Sequence, residues 1–125
     1  MNFYTNNPNL LVCQQDIELA KHIFIKCFTQ DNKLLVCGNG GSASDSLHIV
    51  GELQKSFAKK RPLTDQQKEL FKNSKFEDLL CNNLENGVCA LSLVSEVALN
   101  FAISNDIGAD FCFAQQVWSV GKKGD

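Results

Sequence analysis

Two groups of residues in this chain of 125 amino acids have types and spacings that support chemistry. The first is a glycine-rich stretch that directly follows the apolar run 34–37, and the second is the pair His48 and Glu52. Glycine permits positive φ and a close approach of the backbone to a ligand. The start of a helix offers unpaired N–H groups and the positive end of the helix dipole. The stretch therefore predicts a phosphate-binding turn, the glycine loop, with the sequence Gly38-Asn39-Gly40-Gly41-Ser42.

Three phosphate-binding motifs can be compared with the glycine loop. A Walker loop requires the pattern G-x-x-x-x-G-K-[ST], and the loop contains no lysine. The dinucleotide fingerprint G-x-G-x-x-[GA] is matched by Gly38, Gly40 and Ala43, but its acidic partner about 20 residues on is replaced by the run Phe-Ala-Lys-Lys at 57–60. A short phosphosugar loop remains, with a tight turn that binds no ligand as the alternative. The Ser42 hydroxyl would then donate to a phosphate oxygen or cap the helix.

His48 and Glu52 are four residues apart and are expected on one face of the helix that begins at the loop. An imidazole and a carboxylate one turn apart can transfer a proton or hold a divalent metal. Two ligands do not complete a metal site, so a third would come from another segment or another subunit. The alternative is a hydrogen-bonded pair on a solvated face.

The elements that must position these residues alternate between helices and strands. Apolar periodicity predicts helices over 9–29, 43–58, 96–104 and 111–120, and short apolar runs predict buried strands over 34–37 and 90–94. Residues 59–88 predict one or two short surface helices. This order predicts an α/β fold, a Rossmann-like three-layer α/β/α sandwich with a parallel sheet. Because two strands are too few for such a sheet, we expect the fold to be truncated after the second strand–helix unit.

Side-chain types also predict where these helices begin and end. In the helix 43–58, the apolar residues Leu47, Val50, Leu53 and Phe57 are expected on one side. The predicted caps and breaks are capping boxes at Thr64 with Gln67 and at Ser74 with Glu77, N-caps at Ser95 and Asp110, a break at Asn105-Asp106 and a stop at Gly121.

Composition excludes several classes of protein. Twelve basic and 14 acidic residues give a net charge of −2, which argues against a nucleic-acid binder. Hydrophobic residues make up 44%, too many for a disordered chain, and no apolar run approaches the roughly 20 residues of a membrane span. The start of the chain lacks the features of a secretory signal. The six cysteines show no C-x-x-C spacing, so reduced thiols in a cytoplasmic protein are favoured over disulfides or a zinc ribbon.

The run from Cys37 to His48, continued by Gly51-Glu52-Leu53, resembles the phosphoheptose isomerase branch of the sugar isomerase (SIS) domain family. Later stretches that match the same family in the same order are Ser104-Asn105-Asp106, Phe113-Ala114-Gln115-Gln116-Val117 and Gly121-Lys122-Lys123-Gly124-Asp125. The resemblance implies a cytoplasmic homotetramer that isomerises sedoheptulose 7-phosphate to D-glycero-D-manno-heptose 7-phosphate, or a related ketose phosphate. It also implies one zinc ion per site.

The resemblance assigns roles by position. His48 and Glu52 would be zinc ligands, and Glu52 would also move the proton between C1 and C2. The residues that would contact the phosphorylated sugar are Asn39, Gly40, Gly41, Ser42, Asn105 and Asp106.

The family also has parts that this chain does not contain. A second Ser/Thr-rich phosphate loop, and a Gln and a His on a C-terminal helix that complete the metal site, would lie beyond Asp125. Residues 1–125 are therefore expected to be the N-terminal part of one SIS domain, with a helical insert at about 59–88. The alternative function is a non-catalytic phosphosugar-binding SIS module, such as a regulator or an assembly protein. A nicotinamide-binding dehydrogenase is disfavoured, because the acidic ribose partner is missing.

Overall fold

Two short parallel strands hold the glycine loop in place. In the computed structural model, which describes residues 3–125, strand β1 (Leu34–Val36) pairs with strand β2 (Ala90–Ser92). Leu34 lies opposite Ala90 and Val36 lies opposite Ser92. Because the strands are parallel, their carboxyl ends meet at one edge, where ligands bind in folds of this class. The predicted parallel α/β arrangement is confirmed, and each strand ends one or two residues earlier than expected.

Helices precede, separate and follow the strands in the predicted order. The α-helices are α1 (Phe3–Asn6), α2 (Gln14–Thr29), α3 (Gly41–Gln54), α4 (Asp65–Lys68), α5 (Glu77–Asn83), α6 (Val97–Ile103) and α7 (Cys112–Val120). Short 3₁₀ segments occupy Pro8–Cys13, Glu69–Phe71 and Ala109–Phe111, and a π-helical turn occupies Ser104–Gly108. Helix α3 begins two residues earlier and ends four residues earlier than the predicted range 43–58. None of the helices within residues 3–125 is both long and apolar enough to cross a membrane.

Two of the predicted helix boundaries are confirmed. The Thr64 hydroxyl accepts a hydrogen bond from the Gln67 N–H, and the Gln67 side chain accepts one from the Thr64 N–H, which completes the capping box of α4. Gly121 ends α7, where its N–H donates to the Val117 carbonyl.

Three predicted caps are wrong: in two of them the side chains satisfy other backbone groups, and in the third the side chain makes no hydrogen bond with the described residues. The Ser74 hydroxyl accepts from the Phe76 N–H, while the Glu77 carboxylate accepts from the Asn73 N–H, so the second capping box does not form. Ser95 donates its hydroxyl to the Ser92 carbonyl at 2.7 Å. Asp110 makes no cap, since α7 begins after Phe111 with no side-chain hydrogen bond. Local competition of this kind is usual for Ser and Asp.

The break predicted at Asn105-Asp106 is confirmed only in part, because α6 ends at Ile103 but the helical path continues. These two residues lie in a π-helical turn, Ser104–Gly108, that follows α6, so the helix widens before it ends. Gly108 then ends this turn with φ 134° and ψ 145°, a conformation that side-chain-bearing residues rarely adopt. Residues 109–113 are redirected as a result toward the edge where the strands end.

A buried pair of hydroxyls joins α3 to the sheet. Ser46 is 1% exposed, and its hydroxyl lies 2.8 Å from the Ser92 hydroxyl and donates to the Ala43 carbonyl. The apolar side predicted for this helix is only partly covered, because Leu47 and Phe57 are exposed. A small buried serine therefore helps to join α3 to β2, together with Gln54, whose side chain donates to the Ala90 carbonyl at 2.9 Å.

The side-chain amide of Gln116 fixes α6 and α7 to the end of β2. Its Nε2 lies 2.9 Å from the Leu93 carbonyl, 3.0 Å from Asn100 Oδ1 and 3.0 Å from the Cys112 carbonyl. Asn100 in turn donates to the same Leu93 carbonyl at 3.0 Å. The segments after β2, including α6 and α7, are thus held by a buried polar network. Such networks are rigid when their hydrogen bonds are satisfied.

The final turn of the chain is bound to the beginning of β1. The Asp125 carboxylate accepts from Lys33 Nζ at 2.6 Å, from the Lys33 N–H at 3.0 Å and from the Lys122 N–H at 2.7 Å. Only 6% of the Asp125 side chain is exposed. These donors, led by the Lys33 ammonium, lower the pKa of Asp125 from 3.8 to about 2.

Replacing Ser46 with alanine should lower the free energy of unfolding by about 1–3 kcal/mol, because the buried Ser92 hydroxyl loses its partner. The double change Ser46→Ala with Ser92→Ala should cost less than the sum of the two single changes. Urea unfolding of the four proteins in this cycle measures the coupling. Strict additivity would contradict a direct hydroxyl–hydroxyl bond.

Replacing Asp125 with asparagine should destabilise the fold at pH 7. Because the folded pKa lies below the unfolded value, the carboxylate stabilises the fold above about pH 4 and loses that effect as the pH falls toward 2. The difference in melting temperature between the variant and the parent should therefore shrink over this interval. A difference that stays constant from pH 7 to pH 2 would rule out the pairing with Lys33.

Candidate functional site

The glycine loop makes a turn that requires glycine at two positions. Gly40 has φ 58° and ψ −123° and serves as the N-cap of α3. A Cβ atom on Gly38 would lie 2.5 Å from the Ser42 carbonyl oxygen and 2.7 Å from Ser42 Cβ. The backbone at Gly38 therefore approaches the first turn of α3 more closely than any side chain would allow.

Four consecutive backbone N–H groups in this loop have no acceptor within residues 3–125. They belong to Gly38, Asn39, Gly40 and Gly41, and we call them the amide cradle. The first bonds of the helix start are made instead by the Ser42 and Ala43 N–H groups, which donate to Asn39 and Gly40. Unpaired N–H groups at the N-terminus of a 14-residue helix favour an anion, since they point donors and a positive partial charge at it.

The loop forms one wall of a cleft at the carboxyl ends of both strands. The cleft has a volume of about 580 Å³, and its opposite wall comes from the chain after β2 and from α6 and α7. Its polar lining residues are Asn39, Asn100, Ser104 and Asp110. The side chains of Asn39, Ser104 and Asp110 form no hydrogen bond or ion pair with the described residues. The cleft therefore presents polar groups to a ligand.

Ser42 is the second residue of α3, so the alternative interpretation as an N-cap is wrong. Its side chain is exposed and, like Gly41, does not line the cleft. Asn39 and Gly40 do line it. Of the four loop residues predicted to contact substrate, the structure thus brings two into the cleft wall.

His48 and Glu52 lie together on an exposed face of α3, one turn apart. His48 Nε2 is 3.1 Å from Glu52 Oε1, and 77% of the His48 side chain and 36% of the Glu52 side chain are exposed. Neither residue lines the cleft. At a rise of about 1.5 Å per residue, His48 is roughly 10 Å and Glu52 roughly 16 Å from Gly41 along the helix axis. The amide cradle and the His48/Glu52 pair are therefore well separated along the same helix.

The last turn of α3, which carries Glu52, is fixed by the segment that follows it. Arg61 donates from one guanidinium nitrogen to the carbonyls of Glu52, at 3.1 Å, and Leu53, at 2.8 Å. The Glu85 carboxylate accepts from the Ser56 N–H at 2.9 Å, and the hydrogen bonds from Ser56 lower the pKa of Glu85. Residues 59–88 thus buttress the end of the helix on which the predicted catalytic pair stands.

The types and spacing of His48 and Glu52 fit a zinc ion. Two ligands about 2.0–2.1 Å from one zinc at a tetrahedral angle lie about 3.3 Å apart, close to the observed separation of the two atoms. Zinc takes four ligands, however, and no group of three or more His, Cys, Asp or Glu residues comes together within residues 3–125. The pair is therefore half of a possible metal site.

Asn105 and Asp106 are turned to each other. Asn105 Nδ2 donates to Asp106 Oδ1 at 2.9 Å, both residues are exposed, and neither lines the cleft. Their neighbours Ser104 and Asp110 do line it. The sequence pattern assigned Asp110 only to helix capping, and nothing in the local sequence indicated that a π-helical turn would bring it to the cleft.

Comparison with known proteins gives this arrangement a family. The family model for the SIS domain matches residues 12–89. This range includes strand β1, the glycine loop and the His48/Glu52 pair, and it ends just before strand β2. The chain belongs to the SIS domain family. The SIS resemblance of the run 37–53 is confirmed at this level.

Relatives of this SIS chain include the phosphoheptose isomerase of Roseiflexus sp. (strain RS-1), 33% identical over 109 residues, which cover 87% of this chain and 43% of that protein. The phosphoheptose isomerase of Helicobacter pylori is 30% identical over 112 residues, covering 90% and 46%. The solved structure of phosphoheptose isomerase from Neisseria gonorrhoeae matches with a TM-score of 0.58 at 24% identity, covering 97% of this chain and 54% of that one. That likeness supports the SIS fold. The chain spans less than half the length of the relatives named from sequence.

Replacing Gly38 with alanine should disrupt the amide cradle, because the new Cβ would require the first turn of α3 to move. We expect phosphate-induced chemical-shift changes in the amides of residues 38–41 to be lost. Gly51→Ala is the matched control, since a Cβ there meets no atom within 4 Å and alanine favours the helix. Retention of the phosphate response in Gly38→Ala would show that the tight turn is not needed.

Proposed function

We propose that this SIS chain forms the sugar-binding part of a phosphosugar isomerase that interconverts sedoheptulose 7-phosphate and D-glycero-D-manno-heptose 7-phosphate, or a related ketose and aldose phosphate. The observation that carries the proposal is the amide cradle of residues 38–41, whose N–H donors have no acceptor within residues 3–125 and whose first three residues line a cleft with polar side chains. The names of the Roseiflexus and Helicobacter relatives support the same reaction.

The phosphate is the part of the substrate that suits the cradle. A dianion accepts hydrogen bonds from several N–H groups and is favoured by the positive end of the α3 dipole. Asn39 and Gly40 contribute to this wall of the cleft, and the Ser42 hydroxyl is free to donate from the first turn. Asn105 and Asp106, on the exposed turn after α6, would form a second contact with the substrate at a part of it that lies outside the cleft.

The isomerisation needs a base beside the C–H bond next to the carbonyl. Glu52 would take the proton from C1 of the ketose and return it to C2, while the proton of the C1 hydroxyl passes to the C2 oxygen. His48, 3.1 Å from Glu52, would hold the carboxylate in position and polarise the substrate oxygen. Zinc held by His48 and Glu52, with further ligands from outside these residues, would supply positive charge at the carbonyl oxygen.

The separation of roughly 10 to 16 Å between the cradle and the pair supports a site shared between copies of the chain. The cradle of one copy would hold the phosphate, while His48 and Glu52 of another copy would meet the carbonyl end. This is why we propose a homo-oligomer, with a homotetramer as the expected form. A cytoplasmic location accords with the phosphorylated substrate.

A non-catalytic phosphosugar-binding module is the second candidate. The exposure of the His48 side chain and its distance from the cleft favour it, because binding at the cradle does not require the pair. Under this function, sedoheptulose 7-phosphate should raise the melting temperature and His48→Ala should keep that shift. Loss of the shift in His48→Ala would count against a module that binds without the pair.

The complete protein, incubated with sedoheptulose 7-phosphate and zinc, should form a heptose aldose phosphate that is detectable by NMR. Glu52→Gln should reduce kcat by about 10²–10⁴-fold, the usual contribution of general acid–base catalysis. Glu69→Gln is the control, since Glu69 is exposed and its carboxylate pairs, among the described residues, with Lys72 alone. No product from the parent protein, or equal turnover in Glu52→Gln, would exclude the catalytic proposal.

A further inference from the structure

The cleft has donors at one end and an unpaired carboxylate in the opposite wall. Gly38, Asn39 and Gly40 of the amide cradle line one side of the cleft, whereas Asp110 reaches the same cleft from the 3₁₀ segment Ala109–Phe111. Asp110 forms no hydrogen bond or ion pair with the described residues, although the sequence suggested a helix cap for it. Its two oxygens are therefore available as acceptors.

Among the described residues, no lysine or arginine lines this cleft. The Asp110 carboxylate is therefore not neutralised by a neighbouring cation in the lining, and it repels a phosphate group placed beside it. A carboxylate can instead accept hydrogen bonds from hydroxyl groups, and such charge-assisted bonds are stronger than neutral ones. The chemistry of the two ends thus matches a molecule with a phosphate at one end and hydroxyl groups along its chain.

The position of Asp110 depends on the backbone before it. Gly108, with φ 134°, ends the π-helical turn and directs residues 109–113 to the cleft. On the other side, the Gln116 amide holds α7 against the end of β2. Asp110 is therefore presented from a segment that is fixed at both of its ends.

We propose that Asp110 is a specificity-determining residue that binds the hydroxyl groups of a phosphorylated sugar, orients its phosphate toward the amide cradle and rejects sugars that carry a second phosphate. This inference rests on the proposed binding of a phosphosugar in the cleft. It goes further by naming which residue selects a monophosphate and which end of the ligand that residue meets.

The experiment compares the complete protein with its Asp110→Asn variant, which keeps the shape and removes the charge. Dissociation constants are measured by calorimetry for inorganic phosphate, sedoheptulose 7-phosphate and sedoheptulose 1,7-bisphosphate. Asp16→Asn is the matched control, because it removes the same charge from an exposed residue in the first turn of α2. Melting temperatures of all three proteins establish that each is folded.

We expect the parent protein to bind the monophosphate more tightly than the bisphosphate. In Asp110→Asn, affinity for the monophosphate should fall about tenfold because charge-assisted bonds to hydroxyls are lost. Affinity for the bisphosphate should rise by roughly five- to tenfold, since like-charge repulsion is removed. Binding of inorganic phosphate should stay the same or strengthen slightly, and Asp16→Asn should match the parent protein throughout.

An unchanged ratio of monophosphate to bisphosphate affinity in Asp110→Asn would overturn the inference, and so would a parent protein that binds neither sugar phosphate. The proposed isomerase function fails separately. If the protein binds the monophosphate with the expected dependence on Asp110 but forms no product, the role of Asp110 is supported and the isomerase function is excluded. If the protein turns over substrate but does not discriminate between the two sugars, the isomerase function is supported and the role of Asp110 is excluded.

Discussion

The close approach of the Gly38 backbone to the first turn of α3 is the constraint on which the cleft depends. Only a residue without Cβ can lie this near to Ser42, and the N–H groups of residues 38–41 in this turn have no acceptor within residues 3–125. Unpaired donors of this kind carry an energetic cost unless water or a ligand satisfies them. The turn is thus locally unfavourable while its N–H groups lack partners, and an anion that accepts from them would be favoured there. Local strain of this kind is common in binding sites.

Polar contacts, more than apolar packing, fix the walls around this turn. The Ser46–Ser92 pair holds α3 on β2, and the Gln116 amide holds α6 and α7 at the end of the same strand. Hydrogen bonds of this kind have strict distance and angle requirements, whereas apolar contacts tolerate sliding. The cleft is accordingly positioned by a few directional bonds, and the buried apolar core within residues 3–125 is small.

Many large apolar side chains on the described surface remain exposed, among them Leu19, Ile23 and Ile25 of α2. Exposed apolar side chains in such number are typical of surfaces that contact other protein. The separation of the amide cradle from His48 and Glu52 agrees with a site that needs more than one copy of this chain. The exposed apolar residues and the separated groups are seen in a chain that spans less than half the length of the Roseiflexus and Helicobacter relatives.

The sequence by itself determined the order of the elements, the parallel pairing of two strands and the place of the glycine loop, because apolar periodicity and glycine spacing are local signals. It also placed His48 and Glu52 on one helical face, since four residues make about one turn. The caps at Ser74 and Ser95 were wrong because each hydroxyl had several backbone partners within reach, and only the folded path of the chain chooses among them. The cap at Asp110 was wrong because α7 begins after Phe111, and the Asp110 carboxylate lies in the cleft lining with no partner among the described residues. Tertiary structure alone decided that Asp110 lines the cleft while Asn105 and Asp106 bond to each other. That outcome follows from a π-helical turn and from Gly108, and the direction they give the chain depends on how α7 packs against β2.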